Sequence, residues 1–167
     1  MRLIFPLLTL LIITSSCNKK NVGGGGKMVE LYLLKTVQLV TNKCQVDGSN
    51  SIIELIPYVT NQEIIEYSKR NYEFKLSDQG IQKIKTLRDK TPFAVAVDKQ
   101  VIYYGFFKPS ISSSSCDHSI SMDLSWSSKN KIMMRLGYPG QTQGITIDDK
   151  RNDPMLLATL ANQNKLR

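Results

Sequence analysis

The longest apolar run outside the N-terminus is residues 92–107, which read PFAVAVDKQVIYYGFF. One polar triplet (Asp98, Lys99 and Gln100) interrupts it, and two β-rich apolar segments joined by a short polar turn predict a β-hairpin. Neither segment alternates between apolar and polar residues, so both faces of each strand are apolar. Strands of that kind belong in the middle of a sheet. We therefore expect this hairpin to form the centre of the core.

Shorter apolar or alternating segments predict the other strands. They share β-branched and aromatic residues and are bounded by turn residues, which is the composition of strands in folded proteins. The predicted strands cover residues 29–40, 51–56, 72–76, 120–124 and 131–136. The last two are expected to form a second hairpin around the sequence SWSSKN.

Three segments carry helix-start signals. Thr60 and Glu63 have capping-box spacing, which predicts a short helix over residues 61–69. Ser77 is a suitable N-cap for a helix over residues 78–90, and Asp153 followed by proline predicts a last helix over residues 154–164. Together these elements predict an α+β fold: a mainly antiparallel sheet with two or three helices packed on one face.

The first residues resemble the leader of a bacterial lipoprotein. After Met1 and Arg2 comes an apolar stretch of eleven residues, 3–13, which is shorter than the roughly 20 residues that a helix needs to cross a bilayer. Residues 13–17 (ITSSC) resemble a lipobox, in which small residues precede a cysteine that is lipidated and becomes the first residue of the mature chain. We expect a signal peptide over residues 1–16 and a lipid on Cys17. The alternative is an ordinary signal peptide followed by a chance cysteine.

The residues after Cys17 predict a flexible tether and a location in the cell. Residues 17–27 are polar and rich in glycine, which is typical of a flexible linker, and one α+β domain is expected over residues 28–167. Asn18, rather than aspartate, follows the cysteine. By resemblance to the enterobacterial sorting rule, this favours the outer membrane. The expected location is therefore the cell envelope, with the lipid as the membrane contact.

Cys44 and Cys116 remain once Cys17 is assigned to the lipid, and they form an even pair in an oxidising compartment. A disulfide between them is one possibility. Two free thiols are the other, because the sequence does not show whether the Cβ atoms approach within about 4 Å.

Residues 56–107 resemble the head subdomain of the periplasmic loop of SecD, the accessory protein of the Sec translocase. The resemblance rests on Pro57 before an acidic helix start at Glu63, on the helix opening LSDQG, and on the apolar strand AVAVDKQVI. It implies an α+β fold with helices on one face of the sheet, and its motifs are structural rather than catalytic, so it says little about activity. The chain as a whole is also similar to small envelope lipoproteins of bacteria.

Composition and charge narrow the classes of partner. An apolar fraction of 41% is that of an ordinary globular protein, so the chain can form a core. The formal charge of +8 falls to +7 when Arg2 leaves with the signal peptide, and the basic residues are scattered along the chain. Scattered lysines are typical of a solvated surface rather than of a nucleic-acid site. We therefore expect no nucleic-acid partner.

The candidate catalytic and metal sites are weak. His118 lies beside Cys116 and Asp117, but residues two apart on an extended chain are awkwardly placed for a thiolate and its base, and a disulfide at Cys116 would exclude the pair. One histidine with nearby aspartates is too few ligands for a metal. The S-x-x-K string at residues 128–131 is predicted in a turn, whereas its chemistry needs a helix. The sequence therefore predicts no cofactor, no metal and no small-molecule substrate.

A binding surface is the remaining hypothesis. The serine-rich loop after residue 107 is expected on the surface, beside aromatic residues that one layer of helices would leave uncovered. The predicted binding face consists of Tyr104, Phe106, Ser112, Ser113 and Ser114. This composition predicts a non-catalytic binding or assembly module, with another envelope protein as a candidate partner. A periplasmic inhibitor or immunity-type protein against a hydrolase, and an enzyme with an unrecognised site, are the alternatives.

Overall fold

The computed structural model describes residues 26–124 and 129–167. Its strands are β1 Val29–Thr36, β2 Ile52–Ile53, β3 Ile64–Ser68, β4 Glu73–Leu76, β5 Pro92–Val97, β6 Gln100–Phe107, β7 Cys116–Leu124 and β8 Lys131–Tyr138. They form one sheet in the order β2-β1-β5-β6-β7-β8-β4-β3. Among the strands that the structure describes, only β6 and β7 pair in parallel; every other neighbouring pair is antiparallel. With the helices α1 Asp78–Lys85 and α2 Pro154–Asn162, the described chain is a mainly antiparallel α+β fold, as predicted.

The predicted central hairpin is confirmed as β5 and β6, the third and fourth strands of the sheet. Its two-residue turn has φ of 49° at Asp98 and 65° at Lys99, as a type I′ turn requires. Neither residue is glycine, and two hydrogen bonds with Met28, the residue before β1, hold the turn in this conformation. Asp98 donates its backbone N–H to Met28 O (3.0 Å), and Met28 N–H donates to Asp98 Oδ1 (2.8 Å). The turn is therefore tied to the start of β1.

Two clusters of buried side chains lie on opposite sides of the central strands. Phe107 belongs to the larger cluster and its neighbour Phe106 to the smaller one, as expected because successive side chains of a strand point to opposite faces. The larger cluster includes Phe93, Val95 and Val97 of β5. The smaller cluster consists of Val46, Phe106, Cys116 and Tyr138.

The prediction of a helix over residues 61–69 is wrong. The capping contact exists, because Thr60 N–H donates to Glu63 Oε2 (2.8 Å), but it closes only one 3₁₀ turn, Asn61–Glu63. Strand β3 follows at once and pairs with β4, with Ile64 opposite Leu76. The free energy of pairing with β4 is therefore larger than the local preference of these residues for a helix.

Several predicted boundaries also move. Strand β1 ends at Thr36 rather than at residue 40, because residues 37–50 fold back on themselves, with Val40 N–H donating to Gln45 O (2.9 Å). We call residues 37–50 the cysteine hairpin. Helix α1 ends at Lys85 rather than at residue 90, and β2 keeps only two residues of the predicted strand 51–56.

The N-terminal predictions lie outside the described residues, including the signal peptide, Cys17 and most of the tether. Of residues 26–124 and 129–167, no helix has the length and apolar character needed to cross a membrane.

Candidate functional site

The parallel strands β6 and β7 separate at one end and form a cleft between them. Their ladder joins only Gly105 with Ile120, Phe106 with Ser121 and Phe107 with Met122, although β6 begins at Gln100 and β7 at Cys116. A cleft of about 200 Å³ lies where the ladder is missing, lined by Tyr103 and Tyr104 of β6 and by His118 and Ser119 of β7. We call it the β6/β7 cleft and take it as the candidate site.

A bulge in β7 accounts for this separation. Cys116 pairs with Tyr138, and the next pair joins Ile120 with Leu136. Between these two pairs β7 advances by four residues, whereas β8 advances by only two. Extra residues in one strand disrupt the ladder and re-aim side chains, and such bulges are common beside functional sites. Here the bulged segment carries Asp117, His118 and Ser119.

The strands touch again at Gly105, which closes the cleft. A Cβ atom at this position would lie 2.5 Å from Ile120 O and 2.5 Å from Phe93 Cζ. Only glycine leaves room for this approach. The cleft is therefore closed at the end where Gly105 meets Ile120.

His118 lines the cleft and is held by its neighbour. Its Nδ1 lies 2.7 Å from Asp117 Oδ1, and a quarter of its side chain is exposed. The hydrogen bond with His118 lowers the pKa of Asp117 below its usual value. A carboxylate at Nδ1 orients an imidazole and favours the Nδ1–H tautomer, which leaves Nε2 as an acceptor.

Tyr103 supplies an unusual polar group. The residue is 5% exposed, and its hydroxyl has no hydrogen-bond partner among the described residues. Burial raises its pKa well above 10, so the phenol stays protonated. Buried hydroxyls usually have a partner because leaving one unpaired is costly. The Tyr103 hydroxyl is therefore an unpaired group inside the larger cluster, and it is not exposed at the surface of the cleft.

One wall of the cleft is the loop that contains Ile147, Asp148 and Lys150, and Arg151 holds this loop in place. The Arg151 guanidinium donates two hydrogen bonds to Asp149 (2.8 and 2.7 Å) and one to Met134 O (3.0 Å). Its carbon Cζ lies 3.7 Å from the centre of the Tyr72 ring. The bonds from Arg151 lower the pKa of Asp149. The wall is therefore a fixed part of the fold.

The opposite wall is the cysteine hairpin, through Gln45 and Val46. A disulfide joins Cys44 to Cys116, with the Cα atoms 5.1 Å apart, so of the two possibilities that the sequence left open, the structure has the bonded one. Because Cys116 is part of this disulfide, a thiolate–His118 pair is excluded in this state. The bridge attaches the hairpin directly beside the bulge of β7.

The predicted binding face is only partly present as a surface. Phe106 is 4% exposed and packs with Val46 under the cysteine hairpin, so the prediction of an exposed aromatic ring there is wrong. The hairpin, which the sequence pattern did not predict, supplies the missing cover. Tyr104 is half-buried and lines the β6/β7 cleft. It is the aromatic residue of that predicted face that remains accessible.

The serine loop has an internal role that sequence reasoning missed. Lys108, the residue after β6, is completely buried, and its ammonium group lies 2.7 Å from Ser112 Oγ, 2.8 Å from Ser114 Oγ and 2.9 Å from Asp89 Oδ1. It also lies 4.9 Å from the centre of the Tyr138 ring. Ser112 and Ser114 are therefore committed to the lysine, and Ser113 is the one of the three predicted serines that stays exposed.

Lys108 and Ser112 are close enough for a serine–lysine catalytic pair, but their charges oppose this chemistry. Such a lysine must accept a proton from the serine, whereas the ammonium group of Lys108 already forms an ion pair with Asp89. Burial by itself would raise the pKa of Asp89. The hydrogen bonds from Lys108 and the two serines lower this pKa by more than burial raises it, so the net shift is downward. The cluster therefore fastens the loop to the sheet.

The other candidate chemistries find no support in the described residues. No three His, Cys, Asp or Glu side chains group there as a metal site. Asp153 accepts a hydrogen bond from Met155 N–H (2.9 Å) as the N-cap of α2. Ser128 of the S-x-x-K string lies outside the described residues. Tyr103, Gln45 and Lys150, which line the cleft, had no sequence signal, because strands and loops that are distant in the chain bring them together.

No protein-family model, curated protein or solved structure matches this chain.

Proposed function

We propose that this chain is a lipid-anchored protein of the bacterial cell envelope that acts as a non-catalytic binding or assembly module. The proposed location is based on the sequence ITSSC at residues 13–17, which resembles a lipobox, and on the polar tether that follows. The expected attachment is a lipid on Cys17, with Asn18 favouring the outer membrane.

The observation that carries the binding role is the β6/β7 cleft. It has two walls held by other interactions, the Cys44–Cys116 disulfide on one side and the hydrogen bond from Arg151 Nη1 to Met134 O on the other. A concave site with fixed walls and a few polar groups is the usual form of a binding site. We therefore place the partner's contact at Tyr104 and His118.

An enzymatic role is less well supported by the same residues. A nucleophile needs a base within hydrogen-bond reach, and the thiol of Cys116 is used in the disulfide. Lys108 is paired with Asp89. These two arrangements favour binding over catalysis in this site.

We further propose that both helices cover the same face of the sheet. Ile81 and Ile84 of α1 and Leu156 and Leu160 of α2 belong to one buried cluster with Val95. The cysteine hairpin then takes the place of a third helix as cover for the other face.

The anchor is tested by metabolic labelling with a palmitate analogue in a Gram-negative host. We expect the full-length chain to take up label and to fractionate with membranes, and Cys17→Ala to lose both. Uptake of label and membrane retention by Cys17→Ala would contradict the proposed anchor.

The binding role is tested by site-specific photo-crosslinking in the cell envelope, with the photoreactive amino acid at position 104. The matched control is position 111, because Ile111 is 87% exposed but lies in the serine loop rather than in the cleft. We expect one discrete adduct from position 104 and none from position 111. Equal labelling from both positions would contradict a partner site at the cleft. A hydrolase in the adduct would favour the inhibitor alternative.

A further inference from the structure

We propose that the β6/β7 cleft receives an extended peptide segment of the partner, whose main chain pairs with the open edges of β6 and β7. This inference rests on the proposed binding function, because it names the chemistry that the cleft would recognise.

The first argument is the unused edge of each strand. Along β6, residues from Gln100 to Phe106 pair with β5 on one side, but the ladder with β7 on the other side begins only at Gly105. On β7, residues 116–119 likewise precede the first β6 pair at Ile120. Backbone N–H and C=O groups require partners, and adding a peptide strand to an open edge is a common way of supplying them.

The second argument is the shape of the cleft, which is closed where Gly105 meets Ile120. A strand that enters between β6 and β7 cannot continue past this point in the plane of the sheet. The geometry therefore points to the free end of a peptide rather than to the middle of a long strand.

The third argument is the charge of the lining. Asp117 is paired with His118 at 2.7 Å, and Asp148 lies 3.7 Å from Lys150. Among the lining residues, Asp148 and Lys150 carry opposite charges that offset each other, which gives little preference for an anionic or a cationic ligand. Apolar side chains, including Ile102, Ile120 and Ile147, complete the lining. A neutral main chain with apolar side chains matches this surface.

The fourth argument is Tyr104, which is half-buried and lines the cleft. Its ring can pack against an apolar side chain of the bound peptide. Tyr104 is therefore expected to be a binding residue, whereas the hydroxyl of Tyr103 is buried in the larger cluster and does not reach the surface of the cleft.

The test uses the mature chain with Cys17→Ser, so that no acyl chain takes part. Two libraries of random heptapeptides serve as probes, one displayed with free amino ends and one with free carboxyl ends. We expect one of them to enrich binders, and the free end required identifies which terminus enters the cleft. A selected peptide is then compared with its N-methylated analogue, which keeps the side chains but cannot donate main-chain hydrogen bonds. At least tenfold weaker binding of that analogue is expected.

Hydrogen exchange locates the peptide and separates strand pairing from side-chain contact. Binding is expected to slow exchange of amides within residues 101–104 and 117–119. Tyr104→Ala should weaken binding by about tenfold, as expected for loss of an anchoring aromatic side chain. The control Ile111→Ala truncates an exposed side chain in the serine loop, outside the cleft, and should leave binding unchanged.

Three results would overturn the inference: no enrichment from either library, equal binding of the N-methylated peptide, or protection confined to residues outside the cleft. If position 104 still gives a discrete crosslink in the envelope, the binding function stands and only the strand-pairing mode fails. If the crosslink is also absent, both fail.

Discussion

The ammonium group of Lys108 lies 2.9 Å from the carboxylate of Asp89, with no part of the lysine side chain exposed and 38% of the aspartate side chain exposed. This unequal burial predicts unequal effects of removing either partner. Asp89→Ala leaves a buried cation without its counter-ion and should lower the free energy of unfolding by about 3 kcal/mol, near the lower end of the range for breaking a buried pair. Lys108→Met leaves a carboxylate that water can reach, so about 1 kcal/mol or less is expected. Urea denaturation measures both; a larger loss for Lys108→Met would contradict this account.

The same pair predicts a dependence of stability on pH. The pKa of Asp89 is lowered in the folded protein, below the value of about 3.9 of an unfolded aspartate. Between these two pKa values the unfolded chain binds a proton that the folded chain does not, so the stabilisation is fully present above about pH 4 and is lost as pH falls through the folded pKa. Asp89→Asn should therefore have a shallower loss of stability from about pH 5 to pH 2 than the wild type. Parallel acid unfolding curves would show that Asp89 does not contribute.

Val97 tests the central position of the hairpin. It is 1% exposed in the larger core cluster, and Val97→Asp would bury a carboxylate without a partner, at a cost of several kcal/mol. We expect loss of cooperative thermal unfolding, since total stability is about 5–15 kcal/mol. Gln100→Asp is the control, because Gln100 is paired with Val97 across the turn but is exposed. An unchanged melt of Val97→Asp would contradict the central position.

Tyr104 and Phe106 should respond differently to truncation. Phe106→Ala removes a buried ring from the smaller cluster and should cost about 3–5 kcal/mol. Tyr104→Ala should cost less, because Tyr104 is half-buried at the cleft, and it should weaken capture of the partner. Thermal melts of the two variants decide this. Equal, large losses would mean that Tyr104 is a core residue and would remove it from the candidate site.

Gly105 should not tolerate a side chain. Gly105→Ala would place a methyl group against Ile120 O and the Phe93 ring, and overpacking of this kind costs about 1–3 kcal/mol. Gly140→Ala is the matched control, because no atom beyond its two chain neighbours lies within 4 Å of a Cβ atom built at Gly140. The midpoints of denaturant unfolding compare the two; equal midpoints would contradict close contact of β6 and β7 at Gly105.

The sequence by itself determined the elements whose signals are local. The apolar run 92–107 predicted β5 and β6, since continuous β-rich residues around a short polar turn need no distant partner to be recognised. Ser77 and Asp153 predicted the starts of α1 and α2, and in the structure each accepts a hydrogen bond from the first turn of its helix. A side-chain cap depends on residues two or three positions away, so the order of the chain is sufficient to predict it.

Tertiary structure decided the features that depend on which distant segments meet. Residues 64–68 became a strand because β4 offered them a partner, and Phe106 became buried because the Cys44–Cys116 disulfide fastens a hairpin near it. Lys108 is buried because Asp89, 19 positions away, neutralises its charge. The β6/β7 cleft exists because a bulge in β7 ends its ladder with β6. Each of these outcomes is set by contacts between residues far apart in the chain, whose free energies outweigh the local preference of any one segment.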